Sequence, residues 1–481
     1  MLKNVYKSTF NRTKIVATIG PATSSYEMLK QIMLAGVDVC RVNMSHGTYE
    51  QHKQVIDNVR AINKEFNSNV CILLDLQGPK LRVGNMGEKG AMLEKGQSIA
   101  LTTDEIEGNA TTIPIRFESL SKDVKPGERI LLDDGKIHIK ITEIINDTQV
   151  MAVVTEGGVL KSNKGFNLPE TSVSFPALTE KDIKDLAFGL ENEVEWVGLS
   201  FVRHANDILD LKQRIAAAKS NAVVIAKIEK PDAVKNIDSI IDVTDGVMVA
   251  RGDLGVEMPI ERVPLIQKEI VEKCLAKAKP VIIATQMMES MIERSIPTRA
   301  EVTDVANAVI DGADAVMLSG ETSVGENPVL VVETMDKIIR ELEKDKRVYY
   351  KGVKPTNDSP TFLSDEICFT AVRMSDHINA KVIAGMTRSG YNGHKLSSYR
   401  PEADIFIFTD NLVLLNRMNL VWGVRGFYYD KFSSTDETFA DVIQVLKNRG
   451  GVEAGDKVIH TASMPILKKE RTNTIKITIV D

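Results

Sequence analysis

The sequence has little of what builds disulfide scaffolds, metal clusters or membrane spans. Its four cysteines, Cys40, Cys71, Cys274 and Cys368, lie far apart with no CxxC pair, and its seven histidines form no ligand-spaced cluster. A disulfide framework and a zinc or haem site are thereby excluded, and Cys40 and Cys71, inside apolar runs, read as core residues. The start, MLKNVYKSTFNRTK, is basic but has no apolar core of signal-peptide length, and no apolar run is long enough to cross a bilayer. The expectation is a reduced, cytoplasmic protein with no membrane partner. Lys and Arg number 60 against 66 Asp and Glu, a formal charge of -6, which lacks the basic footprint of a general nucleic-acid binder. There is no heptad array, low-complexity tract or solenoid repeat. Nor is there a Walker A motif or a protein-kinase catalytic loop, so the usual nucleotide-kinase folds gain no support.

What is present is ordinary globular composition, 43% hydrophobic and 26% charged, on 481 residues. At roughly 150 residues per domain that length suggests about three domains. Strand-length apolar runs alternate with amphipathic helical segments, the mark of βαβ units and a parallel sheet. The runs fall at Lys14 to Ile19, Val37 to Val42, Val70 to Leu74, Trp196 to Ser200, Val223 to Lys227, Val247 to Ala250, Val281 to Ala284 and Ala315 to Leu318. Eight such strands predict a β/α barrel, assembled from residues 1–77 and 176–345. Between its halves, residues 78–175 switch to short β-branched runs and turn signals, an inserted all-β domain. Helical patterning resumes at Thr179, a capping residue with Asp182 three positions on. After a linker, VYYKGVKPTNDSPT, residues 346–481 read as a smaller α/β domain with an open sheet.

A barrel of this kind does its chemistry at the carboxyl ends of its strands. There the sequence places Arg41, Asn43, Ser45 and His46; Asp75; Lys227 and Glu229; Arg251 and Asp253; Thr285 and Gln286; Ser319 and Glu321. Taken singly, each is most simply a solvated or salt-bridged surface residue. Together they converge. Glu229 and Asp253 on neighbouring strand ends suit a magnesium ion that takes further ligands from water and substrate. Arg41, Arg82 and Lys227 suit a phosphate-bearing anion, and backbone N–H groups in ARGDLG suit a carboxylate. No histidine is assigned a catalytic role.

The segments ATIGPA, RVNMSHG, DLQGPKLR, KIEK, MVARGDLGVE, ATQMMESM, PTRAEVTDVANAVIDGADAVMLSGET and TRSGYNGHKLSSYRP together resemble the pyruvate kinase family across nearly the whole chain. The resemblance implies a glycolytic enzyme that moves the phosphoryl group of phosphoenolpyruvate to ADP and protonates the enolate to pyruvate. It implies Glu229 and Asp253 as ligands of Mg2+ (or Mn2+), and Lys227 and Arg41 on the migrating phosphoryl group. The backbone at Gly252 and Asp253 would hold the substrate carboxylate. Thr285, with Ser319 and Glu321, would lie on the protonating side. For ADP/ATP it implies Thr18, Pro21, Arg41, Arg82 and Lys164, the last on an inserted domain that closes as a lid. It implies a homotetramer and, at Thr387, Arg388, Ser389 and Gly390, an allosteric sugar-phosphate or nucleotide site.

One departure is informative. Many members carry glutamate where this chain has Lys80 and bind potassium through residues matching Asn43, Ser45, Asp75 and the Leu76 carbonyl. A unit charge about 4 Å from another is worth roughly 4 kcal/mol at an effective dielectric near 20, so an ammonium there can replace the ion. Leu76, Gln77 and Val83 also resemble the potassium-independent branch, and K+ is expected not to be required. Lys230 departs from the asparagine common after KIE, with no role read for it. The last loop, MPILKKERTNT, departs from the fructose bisphosphate pattern. A sensor that has lost catalysis and a barrel lyase acting on phosphoenolpyruvate are the rival readings, set apart by an intact site and by ADP dependence.

Overall fold

The eight apolar runs hydrogen-bond in the order first, eighth, seventh, sixth, fifth, fourth, third, second and so close a parallel barrel in this computed structural model. It describes residues 11–481 except 172, 175, 352, 358, 432, 433 and 466–469. The first ten residues of the basic N-terminal stretch and part of MPILKKERTNT therefore lie outside the described residues. The barrel strands are Lys14–Ile19, Val39–Asn43, Cys71–Asp75, Trp196–Leu199, Val223–Ile228, Gly246–Ala250, Val281–Ala284 and Ala315–Leu318. The second begins two residues later than its apolar run because the helix Tyr26–Ala35 stops on Gly36, at φ +135°. The N–H groups of Gly36 and Val37 both close back on the Ile32 carbonyl, so Val37 belongs to the turn.

Strands buried on both faces explain why the runs are continuously apolar. Val16, Val39, Leu73, Ile225 and Ile282 fill the barrel's interior, while Ile15, Cys40, Ile72, Val224 and Ile283 pack outward under the helices. Thr179 and Asp182 make the reciprocal capping box at the head of the helix Glu180–Glu191, returning the chain to the barrel after the insertion.

The inserted strands run from Arg82–Val83 to Phe166–Asn167 and form a seven-stranded sheet with a two-stranded ribbon beside it. Val83, Ile99, Leu101, Ile130, Ile139 and Val150 make a core separate from that of the barrel. The C-terminal sheet orders as Val424–Tyr428, Asp404–Thr409, Val382–Met386, Lys457–Ala462 and Thr474–Ile479, the last strand antiparallel to its neighbour. This domain is pinned to the barrel's floor by Arg400, 2.9 Å from Asp314, both side chains nearly fully buried. Asp314 also accepts the N–H groups of Val281 and Trp422. All four cysteines are free and buried. Among the described residues no helix is long and apolar enough to cross a membrane.

Candidate active site

The carboxyl end of the third strand places Asp75 at the centre of a charged cluster. Its carboxylate accepts from Arg41 Nε at 2.8 Å and lies 3.1 Å from Lys227 Nζ, at the end of the fifth strand. Burial opposes ionisation of Asp75, but Lys227 and Arg41 outweigh it and hold the carboxyl below its ordinary range. Arg41 also donates to the Thr18 hydroxyl at 2.9 Å, joining the first three strand ends.

Three oxygen-bearing side chains surround the Lys227 ammonium. Besides Asp75 these are Glu229 Oε1 at 3.1 Å and Ser200 Oγ at 2.6 Å. Burial alone would lower its pKa, but the Asp75 and Glu229 carboxylates overcome this and raise it, so the ammonium stays charged. Ser200 donates in turn to the Leu76 carbonyl at 2.7 Å. Glu229, 2% exposed, accepts the Phe201 N–H at 2.7 Å. Burial, with only partial relief from Lys227 and a further push from nearby Asp253, raises its pKa. Asp253 sits in the first turn of the short helix Arg251–Glu257 after the sixth strand.

The loop after the seventh strand is strained. Thr285 and Gln286 both have positive φ, 68° and 55°, and a β-branched residue there costs of order 1–3 kcal/mol. Arg251 offsets this by donating to the Ala284 and Thr285 carbonyls while pairing with Asp304 at 2.6 Å. The Thr285 hydroxyl donates to the Ala284 carbonyl and accepts the Gly252 N–H at 2.8 Å. The loops after strands seven and eight are joined by Glu321, which accepts the N–H groups of Met288 and Ser319. Burial raises the Glu321 pKa despite those bonds, and the Ser319 hydroxyl is buried without a partner among the described residues.

Three carboxylates, Asp75, Glu229 and Asp253, thus face two cations, Arg41 and Lys227. One negative charge is left over. That excess, and the hard oxygen donors of Glu229 and Asp253, fit a divalent cation that takes its remaining ligands from water and substrate. Among the described residues no group of three or more His, Cys, Asp and Glu forms a closed metal cage.

The family model for the barrel domain of pyruvate kinase matches residues 10–332, and that for the family's alpha/beta domain matches residues 365–478. The chain belongs to the pyruvate kinase family. A pyruvate kinase of Thermococcus litoralis is 41% identical over 473 residues, covering 97% of this chain and 98% of the relative. One of Corynebacterium efficiens is 41% identical over 467 residues, covering 97% of each. Among solved structures, a pyruvate kinase from Cryptosporidium parvum superposes with a TM-score of 0.92 at 33% identity, covering 98% of this chain and 96% of that one.

The residues that the pyruvate kinase resemblance implies for the nucleotide do not all meet here. Thr18 and Arg41 touch, and Pro21 follows on the exposed turn after the first strand. Arg82 and Lys164 belong to the inserted domain, where Arg82 donates to the Asn163 carbonyl at 3.0 Å and Lys164 pairs with Asp133 at 2.8 Å. Lys80 is exposed, its Cε beside Gly165 of the inserted domain, and it borders a crevice shared with Asp134, Lys230 and Asp253. It is not packed into the potassium-type ligand set. In that set Asp75 is taken by Arg41 and Lys227, the Leu76 carbonyl by Ser200, and Asn43 Oδ1 by the Ser45 N–H at 3.1 Å. In the C-terminal domain Thr387, Arg388 and Ser389 line one cavity of about 670 Å³ with Asn392 and Arg471. Gly390, at φ +85°, starts the helix Tyr391–Ser398.

Sequence reasoning missed Ser200 and the clamping role of Arg251. The signal for Ser200 was available: it follows the fourth strand directly, as the other site residues follow theirs. Lys230 gains a partner, the buried Glu257.

Proposed function

We propose that this chain transfers the phosphoryl group of phosphoenolpyruvate to ADP and releases pyruvate, with Mg2+ (or Mn2+) held by Glu229 and Asp253. The observation that carries the reading is the buried Lys227 ammonium, which donates to Ser200, lies 3.1 Å from a carboxylate oxygen of both Asp75 and Glu229, and is kept charged by those two carboxylates. A loose phosphoryl transition state asks for positioning and charge stabilisation, and Lys227 and Arg41 supply both from rigid strand ends. The metal supplies Lewis-acid polarisation of the substrate's oxygens. Gly252 and Asp253 offer backbone N–H groups to the substrate carboxylate, which competes with the Thr285 hydroxyl for the Gly252 donor. Thr285 holds its own proton on the Ala284 carbonyl, so it positions rather than acts as the acid; Ser319 and the buried Glu321 supply a path for the enolate's proton.

Thr18, Pro21, Arg41, Arg82 and Lys164 bind ADP/ATP when the inserted domain closes and excludes water. Potassium is not required: Asp75 already has two counterions, and Lys80 adds an exposed ammonium to the neighbouring crevice that Asp253 borders. Thr387, Arg388, Ser389 and Gly390 take a phosphate of a sugar-phosphate or nucleotide effector. A homotetramer follows from the family, and a cytoplasmic location suits four cysteines held as thiols.

The test is pyruvate formation from phosphoenolpyruvate with magnesium and ADP, with and without potassium, beside an ADP-free control. ADP-dependent turnover without potassium is expected. Pyruvate release without ADP would replace the reading with a lyase, turnover only with potassium would remove the role of Lys80, and no turnover in either buffer would point to a sensor.

A further inference from the structure

The helix Arg251–Glu257 carries Gly252 and Asp253 at one end and is tied down at both. Its first turn is held by Thr285, through Gly252, and by the bonds of Arg251 to the loop after the seventh strand. Its last residue, Glu257, is 5% exposed and is held by two groups from different parts of the chain. Lys230, from the loop after the fifth strand, pairs with Glu257 Oε1, and Asn167, from the inserted domain, donates to the same oxygen at 2.7 Å. The second oxygen, Oε2, is buried and unpartnered among the described residues. The inserted domain meets this helix at a second point, where a β-carbon on Gly135 would stand 3.5 Å from Val256 Cγ1.

Both meeting points are wired to the lysine assigned above to the nucleotide. Lys164 lies three residues before Asn167, and its ion-pair partner Asp133 lies two residues before Gly135. A ligand shifts an equilibrium only through a contact that differs between two states, and a nucleotide phosphate that took Lys164 from Asp133 would supply such a contact.

We infer that Asn167, Glu257 and Lys230 form a junction through which nucleotide binding on the inserted domain sets the helix that presents Gly252 and Asp253 to phosphoenolpyruvate. Lys230 and Asn167 are positioning residues: neither touches the reacting atoms, and each acts through Glu257. Lys230 supplies the charge that lets a buried carboxylate serve as the pivot, and Asn167 supplies the link to the lid. Its consequence is reciprocal: ADP tightens phosphoenolpyruvate, and phosphoenolpyruvate tightens ADP by the same factor. The inference rests on the reaction proposed above.

The experiment measures the Michaelis constant for phosphoenolpyruvate across ADP concentrations, with magnesium fixed, in the unmutated chain and in Asn167→Ala, Lys230→Met and Lys230→Arg. The unmutated chain is expected to show a coupling factor of about fivefold or more, the lower end of typical allosteric couplings. Asn167→Ala and Lys230→Met are expected to bring that factor close to one, and Lys230→Arg to retain it. Asn167→Ala removes one half-buried amide from the lid's margin, so it remains informative if Lys230→Met fails to fold. Three results overturn the inference while leaving the reaction standing: no coupling in the unmutated chain, full coupling in Asn167→Ala, or equal loss of coupling in Lys230→Arg and Lys230→Met. No phosphoenolpyruvate-dependent turnover in the unmutated chain overturns the reaction and the inference with it.

Discussion

Removing one hydroxyl, by Ser200→Ala, tests whether the placement of Lys227 limits the reaction. The Ser200 Oγ proton goes to the Leu76 carbonyl at 2.7 Å, so its lone pairs face Lys227 Nζ at 2.6 Å. Without it, one N–H of a buried ammonium and one backbone carbonyl lose their partner together. Hydrogen bonds to charged groups contribute about 1.5–3 kcal/mol, which at roughly 1.4 kcal/mol per decade is a fall of about 10- to 150-fold. Asp75 and Glu229 still hold the ammonium's charge in the site, so the loss falls short of that from deleting Lys227 itself. Steady-state kinetics should show the fall in kcat, with the Michaelis constant for ADP nearly unchanged, while urea unfolding reports whether the fold has weakened. Gly78→Ala is a second route to the same atom, because a β-carbon there would stand 2.9 Å from Ser200 Cβ and 2.8 Å from Phe201 Cδ2, at φ +69°. A Ser200→Ala enzyme with kcat within about twofold of the parent would refute the reasoning, since a bond of that class should cost far more.

Lys80→Glu tests the proposed independence from potassium: turnover in potassium-free buffer is expected to drop and added potassium to restore it, and equal turnover in both buffers would remove the role of Lys80. Arg400→Met leaves Asp314 buried without its cation, and urea unfolding should show a loss of about 3–5 kcal/mol. His460, 1% exposed and with its ring tilted 32° against that of Phe439 at 4.6 Å, has no hydrogen-bond partner for either ring nitrogen among the described residues, and burial, with Lys476 nearby, holds its pKa down at about 4. The unfolded chain therefore takes up that proton first as pH falls below about 6.5, so stability is complete above that pH. About 3 kcal/mol is lost by about pH 4. Unfolding midpoints measured across this window should fall in the parent and stay flatter in His460→Phe.

The barrel strands were legible because each is buried on both faces, and a continuous apolar run of strand length between helical periods suits little besides a strand covered on two sides. Where a boundary moved, as at Val39, the cause was the helix stop at Gly36, whose turn consumed residues that are apolar for packing reasons alone. The inserted domain showed as a change of period, and its Lys164 could be named from resemblance, but the pairing with Asp133 could not. That partner arrives from a hairpin on another part of the insertion. Lys230 lacked a role in the sequence for the same reason, since Glu257 lies 27 residues on and Asn167 in a different domain.

The role of Asp75 shows what a strand-end reading misses even when it names the right residue. By resemblance it belonged to a potassium site; by geometry it is the shared counterion of Arg41 and Lys227. Strand register makes that possible. Asp75 sits level with Asn43 on one side and with Gly198 on the other. A β-carbon at Gly198 would lie 3.1 Å from Asp75 Oδ1, so the fourth strand is bare where the carboxylate leans across it. It thereby spans from Arg41 on the second strand to Lys227 on the fifth, past the fourth. The glycine in Trp-Val-Gly-Leu-Ser carried that information, but only pairing with the third strand turns a missing side chain into a path for a charge. A residue type at a strand end shows what chemistry is available; which charge it neutralises is decided by the neighbour's smallest side chain.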